Sequence, residues 1–266
     1  MESFVPLADT WDADLLLRFE SERTWPVRDL LAKIDCAPQH VFDLGCGAGS
    51  STRLLAERFP DARITGVDSS ARMLDEARRR LPGFAFELAD ITHWRSPRTA
   101  DLIFADSALQ WVADHEALFP RLMEQLAEDG ALAVQMPDNR QEPSHALMRL
   151  IAADGPWSDR LVPIAKTRAV IAPHGDYYNW LRPHAASLHI WQTTYVHPLE
   201  SIDAVVDWLR GSALRPFLAP LEPEERTAFL ERYRRELAES YGTEADGRVL
   251  FLYPRLFIVA RKRARG

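Results

Sequence analysis

A glycine-rich turn between a predicted strand and a predicted helix constrains the fold of this chain more than any other feature. The segment VFDLGCGAGSSTRLLA, residues 41–56, has glycines at alternate positions, Gly45, Gly47 and Gly49. The apolar run before them is typical of a buried strand, and the apolar spacing after them is typical of a helix. A tight strand-to-helix turn of this kind is often a nucleotide-binding site. The sequence therefore predicts an α/β fold with a ligand at this turn.

Strand and helix patterns alternate through the first half of the chain. Alternation at this spacing is typical of a parallel, doubly wound sheet. Apolar runs predict five strands, at 40–45, 62–68, 84–90, 101–106 and 131–137. Helical spacing predicts four helices, at 24–34, 50–59, 69–81 and 115–130.

Local signals predict where three of these helices begin or end. Thr24 is expected to cap the first helix, with Pro26 in its first turn. Ser69 or Ser70 is expected to cap the third helix. The fourth helix is expected to end at Gly130.

The second half of the chain is less regular. Strands are predicted in LHIWQTTYVHPL and RLFIVARK, and helices in YYNWLRPH, SIDAVVDWLRG and PEERTAFLERYRRELAESYG. We expect one domain over residues 1–266, built on a Rossmann-like, mainly parallel seven-stranded sheet. Residues 36–137 are expected to form its cofactor-binding core. A helical insertion near the C-terminus, at 138–187 and 198–250, is expected to cover the site.

Composition argues against several classes of partner. The net charge of -7 is the reverse of the basic excess that nucleic-acid binders need. Cys36 and Cys46 lack the spacing of a zinc site or a disulfide framework, and His174, His184 and His197 lack metal-ligand spacing. No apolar run approaches the ~20 residues of a membrane span, and the N-terminal segment is acidic where a signal peptide is basic. We therefore expect a cytoplasmic protein that binds no nucleic acid, membrane or metal.

Asp43, immediately upstream of the glycines, indicates which nucleotide the turn binds. A pyrophosphate at a helix N-terminus needs positive potential, and a fixed carboxylate there would repel it. The carboxylate would instead attract an ammonium group. S-adenosylmethionine carries an ammonium and a sulfonium and has no phosphate, while the glycines let the backbone approach it closely. We therefore predict S-adenosylmethionine as the cofactor and S-adenosylhomocysteine as its product.

Two further acids follow neighbouring predicted strands. Asp68 ends the second strand, where a carboxylate accepts hydrogen bonds from ribose hydroxyls, and Asp90 ends the third, where it can meet the adenine amino group. The carboxyl ends of parallel strands face one crevice, so these acids are expected to share a site. The predicted cofactor-binding residues are Arg23, Asp43, Gly45, Gly47, Gly49, Asp68, Ser69, Met73, Asp90, Ile91 and Asp106.

Several motifs carry a family resemblance. DLGCGAGSST, ITGVDSSARML, ELADI and DLIFADSALQWV resemble successive motifs of class I S-adenosylmethionine-dependent methyltransferases. FESERTWPVRDLL, LAVQMPDN with EPSH, IWQTTYVHP, SALRPFL and YPRLFIVARK are similar to the trans-aconitate 2-methyltransferase family, over nearly the whole chain. The chain has Ala48 and Ser50 where that family usually has Pro and Asn. It also has Asp106 where Asn is common, which adds negative charge beside the sulfonium pocket.

The resemblance implies methyl transfer to a carboxylate oxygen of a small di- or tricarboxylic acid, with trans-aconitate as the expected substrate. An ionised carboxylate needs no general base, so we expect orientation and desolvation to supply catalysis, with no catalytic side chain. Arg215 and Arg255, each beside a proline, are the expected carboxylate ligands. Arg23 is a third candidate, which would hold either the substrate or the cofactor's carboxylate. Trp111 is expected to form a pocket wall.

Three other functions stay open at this point. One is a methyltransferase of the same fold acting on another small acid or on a natural-product hydroxyl. A hydroxyl acceptor would need a general base such as His115 or His197, and a pH dependence near the histidine pKa would favour it. A non-catalytic S-adenosylmethionine-binding protein would share the same glycine turn. An NAD-dependent oxidoreductase would bind a dinucleotide, which Asp43 opposes.

Overall fold

The computed structural model describes residues 11–167 and 171–264 of the chain. Its strands are β1 (His40–Leu44), β2 (Arg63–Asp68), β3 (Ala85–Leu88), β4 (Ala100–Asp106), β5 (Leu126–Pro137), β6 (Ala185–Leu199) and β7 (Val249–Lys262). Its helices are α1 (Ala13–Leu17), α2 (Glu20–Leu31), α3 (Ser50–Arg58), α4 (Ala71–Arg80), α5 (His115–Glu124), α6 (Pro143–Ala153), α7 (Ser158–Thr167), α8 (His174–Leu181), α9 (Ile202–Arg210), α10 (Arg215–Leu218) and α11 (Pro223–Ser240). A short 3-10 helix spans Leu109–Trp111.

The seven strands form one sheet in the order β3-β2-β1-β4-β5-β7-β6. Strands β1 to β5 pair in parallel, and β7 pairs antiparallel with β5. Strand β1 is central, because Asp43 pairs with Gly66 on β2 and with Phe104 on β4. The predicted doubly wound, mainly parallel seven-stranded fold is confirmed.

The described chain divides into two compact units. The sheet unit comprises residues 20–137, 171–193 and 255–264, and the helical unit comprises residues 11–19, 138–167 and 194–254. The core of the sheet unit contains Leu44, Ile103, Phe119 and Val134, all fully buried. The division predicted at 36–137, 138–187 and 198–250 stays a prediction, and residues 168–170 of it lie outside the described residues.

Aromatic side chains fill the core of the helical unit. Trp208 is fully buried, and its ring centroid lies 5.2 Å from that of Phe19 and 5.8 Å from that of Phe251. The Tyr233 hydroxyl, also buried, donates to the Ser144 carbonyl at 2.7 Å. Because a buried phenol needs a polar partner, this bond ties α11 to the start of α6.

Two predicted helix ends are wrong. Helix α2 begins at Glu20, so Thr24 lies inside it and donates from Oγ1 to the Ser21 carbonyl at 2.9 Å instead of capping it. Helix α5 ends at Glu124 rather than at Gly130, because Leu126 and residues 131–135 pair with β4. Sheet pairing has overridden the local helical pattern.

No helix in the described part of the chain combines the length and the apolar character that crossing a bilayer requires. Across residues 11–167 and 171–264 there is also no group of three or more His, Cys, Asp or Glu side chains that could hold a metal ion.

Candidate active site

The glycine turn between β1 and α3 has a backbone that only glycine adopts easily. Gly45, Gly47 and Gly49 have φ values of 72°, 53° and 85°, in the left-handed region. A Cβ on Gly45 would lie 2.3 Å from the Cβ of Ala108, and one on Gly49 would lie 2.9 Å from Leu81 Cδ1. Packing against Ala108 therefore requires glycine at Gly45, independently of any ligand, while the positive φ favours glycine at all three positions.

Asp43 lies under this turn and is fully buried. Its Oδ2 accepts hydrogen bonds from Ser51 Oγ at 2.7 Å and Thr52 Oγ1 at 2.6 Å, at the start of α3. Its Oδ1 has no hydrogen-bond partner among the described residues. Burial raises the pKa of Asp43 to about 7. A buried acceptor without a donor costs about 1–3 kcal/mol, so this oxygen suits the ammonium group of a ligand.

Asp68, the last residue of β2, links the turn to the next helix. Its Oδ2 accepts from the backbone N–H of Gly47 at 2.9 Å, and its Oδ1 accepts from that of Ser70 at 2.9 Å. Ser70 is the residue that caps α4, since its hydroxyl accepts from the Met73 N–H at 3.3 Å. Ser69 is exposed. Asp68 thus shapes the turn, and its predicted role toward a ribose stays a prediction.

Two apolar residues predicted to bind the cofactor, Ile91 and Met73, lie beside the same turn, and Asp90 is the residue before Ile91. Asp90 follows β3, is exposed, and accepts from the Thr92 N–H at 2.8 Å. Ile91 is 8% exposed, and its Cδ1 would lie 3.7 Å from a Cβ on Gly45. Met73 Cε would lie 3.3 Å from a Cβ on Gly47. The structure therefore brings two apolar side chains to the glycines, while the predicted role of Asp90 toward the adenine stays a prediction.

Asp106 ends β4 inside a network that the sequence reasoning missed. Gln135 on β5, fully buried, donates from its amide to Asp106 Oδ1 and to Ser107 Oγ, the latter at 2.9 Å. Arg255 on β7, 2% exposed, donates from Nη1 to Ser107 Oγ at 2.8 Å and to Gln135 Oε1 at 2.7 Å. Burial raises the pKa of Asp106 to about 6, although the positive charge of Arg255 acts to lower it. The one signal for this network was a glutamine inside the apolar strand ALAVQMP.

Backbone strain marks the same place. Ser107 has a φ of 53°, which a non-glycine residue adopts at a cost of about 1–3 kcal/mol. Its hydroxyl receives two donors and lies 3.3 Å from Asp106 Oδ1. Strained residues of this kind cluster at binding sites because the surrounding contacts must hold them there.

Arg23 and Trp111 also belong to the sheet unit. Arg23 is half-buried on α2, and its positive charge offsets part of the rise that burial causes in the pKa of Asp106. Trp111 is half-buried at the end of the 3-10 helix. The structure therefore places Arg23 within electrostatic reach of the β4 end, while the predicted wall role of Trp111 stays a prediction.

Arg215 lies in the helical unit, at the start of α10, and is 7% exposed. Its guanidinium carbon lies 3.6 Å from the ring centroid of Trp11, within the range of a cation–π interaction. The indole thus orients a nearly buried cation.

The two histidines considered as general bases are buried. His115 has Nε2 at 2.8 Å from the Leu109 carbonyl oxygen and Nδ1 at 2.7 Å from the Tyr177 hydroxyl. The carbonyl only accepts, so Nε2 carries the proton and Nδ1 accepts from Tyr177. Burial lowers the pKa of His115. His197, fully buried in the helical unit, lies among aromatic rings, with Trp208 at a centroid distance of 4.9 Å.

This chain is similar in sequence to known methyltransferases. The profile of a family described as "Methyltransferase domain" matches residues 41–130. A trans-aconitate 2-methyltransferase of Methylobacterium nodulans is 51% identical over 253 residues, covering 95% of this chain and 98% of that protein. One of Yersinia pestis is 51% identical over 251 residues, covering 94% and 97%. The solved YcgJ protein of Bacillus subtilis shares the fold, with a TM-score of 0.57 at 15% identity over 90% of this chain and 98% of that one.

The sheet order and the glycine turn, together with the matched profile, define a class I S-adenosylmethionine-dependent methyltransferase. The enzyme uses S-adenosylmethionine, and the open oxygen of Asp43 fits its amino group. Within that class, identity of 51% over nearly the full length shows that the chain belongs to the trans-aconitate 2-methyltransferase family.

Proposed function

We propose that this enzyme methylates one carboxylate oxygen of trans-aconitate, giving a monomethyl ester and S-adenosylhomocysteine. The observation that carries the proposal is the 51% identity, over 95% of this chain, to a protein named for that substrate. When bound, S-adenosylmethionine supplies the methyl group on a sulfonium leaving group. The protein's own part is to orient the carboxylate, exclude water and bind the remaining carboxylates.

Two nearly buried arginines support a polycarboxylate substrate. Arg255 and Arg215 are 2% and 7% exposed in a chain whose net charge is -7. A guanidinium binds a carboxylate through two parallel hydrogen bonds, and such bonds strengthen where water is excluded. Both arginines sit beside prolines, Pro254 and Pro216, which restrict the local backbone. We assign both to substrate carboxylates, and Trp111 to a wall of the substrate pocket.

We assign the cofactor to the carboxyl edge of the sheet. Asp43 binds the amino group of the cofactor, Asp68 binds its ribose hydroxyls and Asp90 binds its adenine amino group. Their placement at the carboxyl ends of β1, β2 and β3, which are neighbours in the sheet, supports the assignment. Arg23 takes the cofactor's carboxylate. The other residues that we assign to the cofactor site are Gly45, Gly47, Gly49, Ser69, Met73, Ile91 and Asp106.

The state of His115 disfavours a hydroxyl acceptor. Deprotonating a hydroxyl needs a base with an accessible lone pair. Both ring nitrogens of His115 are engaged, one by the Leu109 carbonyl and one by the Tyr177 hydroxyl. An ionised carboxylate avoids that requirement, which favours an acid as the substrate.

A panel of acids tests the substrate. Purified enzyme is incubated with S-adenosylmethionine and trans-aconitate, cis-aconitate, citrate, isocitrate or an aromatic dicarboxylate, and methyl ester and S-adenosylhomocysteine are followed by mass spectrometry. We expect the highest kcat/KM with trans-aconitate. We also expect Arg255→Leu and Arg215→Leu to raise KM for the acid by about tenfold or more, because each loses a charge-assisted hydrogen bond. KM for the cofactor should stay within about twofold.

The exposed Arg210 provides the matched control, since Arg210→Leu removes a cation of the helical unit that is 45% exposed. Turnover of another acid in place of trans-aconitate would change the assigned substrate and leave the assigned reaction in place. Turnover of a hydroxyl compound alone, or cofactor binding with no turnover of any acid, would contradict the proposal.

A further inference from the structure

A group of polar contacts joins the start of α2 to the glycine turn. Glu20, the first residue of α2, accepts at Oε1 from Ser50 Oγ at 2.5 Å and from Arg80 Nη2 at 2.5 Å. Arg80, the last residue of α4, also donates from Nη1 to the Ala48 carbonyl at 2.9 Å and to Ser50 Oγ at 3.2 Å. We call Glu20, Ser50, Arg80 and the Ala48 carbonyl the Glu20 clasp. It connects three elements that are distant in sequence.

The Glu20 clasp differs from an ordinary surface ion pair. The side chains of Arg80 and Glu20 are only 24% and 26% exposed. Burial alone would raise the pKa of Glu20, but the bonds from Ser50 and Arg80 outweigh it, so that pKa lies below its ordinary value. Partly buried, charge-assisted bonds of this kind are stronger than exposed pairs, which contribute about 0–1 kcal/mol.

The preceding residue of α4 makes a different kind of contact. Arg79 pairs with Glu76 inside the same helix, and its side chain is 70% exposed. That pair supports α4 alone, whereas the Glu20 clasp reaches the turn between Gly47 and Gly49. The two adjacent arginines of α4 therefore make contacts of different kinds, one within the helix and one with the glycine turn.

The Glu20 clasp sets the position of Arg23. Residues three apart on a helix share a face, so the start of α2 that Glu20 fixes also carries Arg23. The charge of Arg23 acts on the carboxyl of Asp106, at the end of β4. A helix anchored at Glu20 therefore holds Arg23 in a constant relation to the glycine turn.

We propose that Glu20, Arg80 and Ser50 are positioning residues for the cofactor, which seat α2 on the glycine turn and hold Arg23 ready for the cofactor's carboxylate. The inference rests on the proposed assignment of Arg23. Breaking the Glu20 clasp lets the first turn of α2 leave the glycine turn, so binding of S-adenosylmethionine must restore the contact. Affinity falls, while the chemical step of the saturated enzyme is unaffected.

Calorimetric titration with S-adenosylmethionine alone tests this inference. Arg80→Gln and Glu20→Gln should each raise Kd about tenfold, equivalent to about 1.4 kcal/mol. The double variant should be no worse than Arg80→Gln, because partners in one network are not additive. Arg79→Gln, the matched control on the same helix, should leave Kd unchanged. At saturating cofactor, kcat of all these variants should stay within about twofold of the original enzyme.

Ser50→Ala leaves both charges in place and serves if Arg80→Gln does not fold. It should raise Kd about two- to threefold, by the loss of one hydrogen bond. Hydrogen exchange adds a second readout, since without cofactor the amides at 20–24 should exchange faster in Arg80→Gln than in Arg79→Gln.

Two outcomes with variants of the Glu20 clasp would overturn the inference. One is an Arg80→Gln Kd equal to that of Arg79→Gln, and the other is simple additivity of Glu20→Gln and Arg80→Gln. The assay contains no acid, so a wrong substrate does not affect it. An Arg23→Gln enzyme with unchanged Kd would remove the proposed assignment of Arg23 and this inference together.

Discussion

At the scale of single residues, Asp43 shows how a buried group can serve a ligand rather than the fold. One carboxyl oxygen is satisfied by Ser51 and Thr52, and the other has no partner within the described residues. Burying a carboxyl this way favours its protonated form, and its pKa is raised to about 7. Selection for the fold alone would favour an amide or an apolar side chain here. The proposed contact with the cofactor's ammonium accounts for the acid.

Asp43→Asn should therefore move stability and binding in opposite directions. Near pH 8 we expect the free energy of unfolding to rise by about 1–2 kcal/mol, since a neutral amide replaces a buried charge. We expect Kd for S-adenosylmethionine to rise about tenfold or more, since an ion pair is lost. Urea unfolding and calorimetric titration measure the two effects.

Asp101→Asn is the control for this prediction. Asp101 Oδ2 accepts from the N–H groups of Gln39 and His40 at 3.0 and 2.9 Å, at the other end of β4. Its replacement should lower stability and leave Kd unchanged. An Asp43→Asn protein that is less stable and binds the cofactor normally would remove Asp43 from the site.

At the scale of elements, the boundary between α5 and β5 shows tertiary pairing overriding a local pattern. HEALFPRLMEQLAEDG has helical spacing up to Gly130, yet the helix ends at Glu124. Leu126 pairs with Ala100 at the start of β4, with a register shift before Leu102. A Cβ on Gly130 would lie 3.0 Å from the carbonyl oxygens of Ala100 and Ala127. The glycine permits close strand approach rather than ending a helix.

Gly130→Ala should destabilise the protein by about 1–2 kcal/mol, because the added methyl meets backbone oxygens that cannot move independently. Gly83→Ala is the matched control, since a Cβ there meets nothing within 4 Å. That variant should be neutral or slightly stabilising. Urea unfolding of both variants measures their stabilities. Equal free energies of unfolding would show that β4 and β5 shift to accommodate the added methyl.

At the scale of the whole molecule, two buried acids make the stability of the enzyme depend on pH. The pKa of Asp43 is raised to about 7 and that of Asp106 to about 6, from an ordinary value of 3.8, chiefly by burial. The folded state therefore keeps protons that the unfolded chain has released above about pH 4. The contribution of these groups to stability falls as pH rises through this window and is lost above about pH 7. Asp68 raises the pKa of Asp43, while Arg255 and Arg23 oppose the shift at Asp106.

The variant Asp43→Asn/Asp106→Asn isolates this contribution. Its free energy of unfolding minus that of the original enzyme should increase from about pH 5 to about pH 8. Saturating S-adenosylmethionine should stabilise the original enzyme increasingly over the same range, because the cationic cofactor favours the ionised acids. Thermal unfolding across this range, with and without cofactor, measures both. A difference that does not vary with pH would contradict the placement of these carboxyls.

The sequence by itself determined the elements that form from nearby residues. The glycine turn, a serine cap at Ser69 or Ser70 and the alternation of strands and helices depend on backbone conformations and contacts within a few residues. Asp43 pointed to the cofactor because its charge, beside the turn, already distinguishes an ammonium from a pyrophosphate. These features need no knowledge of distant contacts.

Tertiary structure alone decided which distant side chains meet. Arg255 reaches Ser107 across 148 positions, and Arg80 reaches Glu20 across 60. Gln135 gave only a weak signal, because its partners lie on two other strands and in the loop after β4. Local pattern cannot specify such contacts, since sheet order and the register between strands determine them. The same physics moved the end of α5, where pairing with β4 outweighed helical propensity.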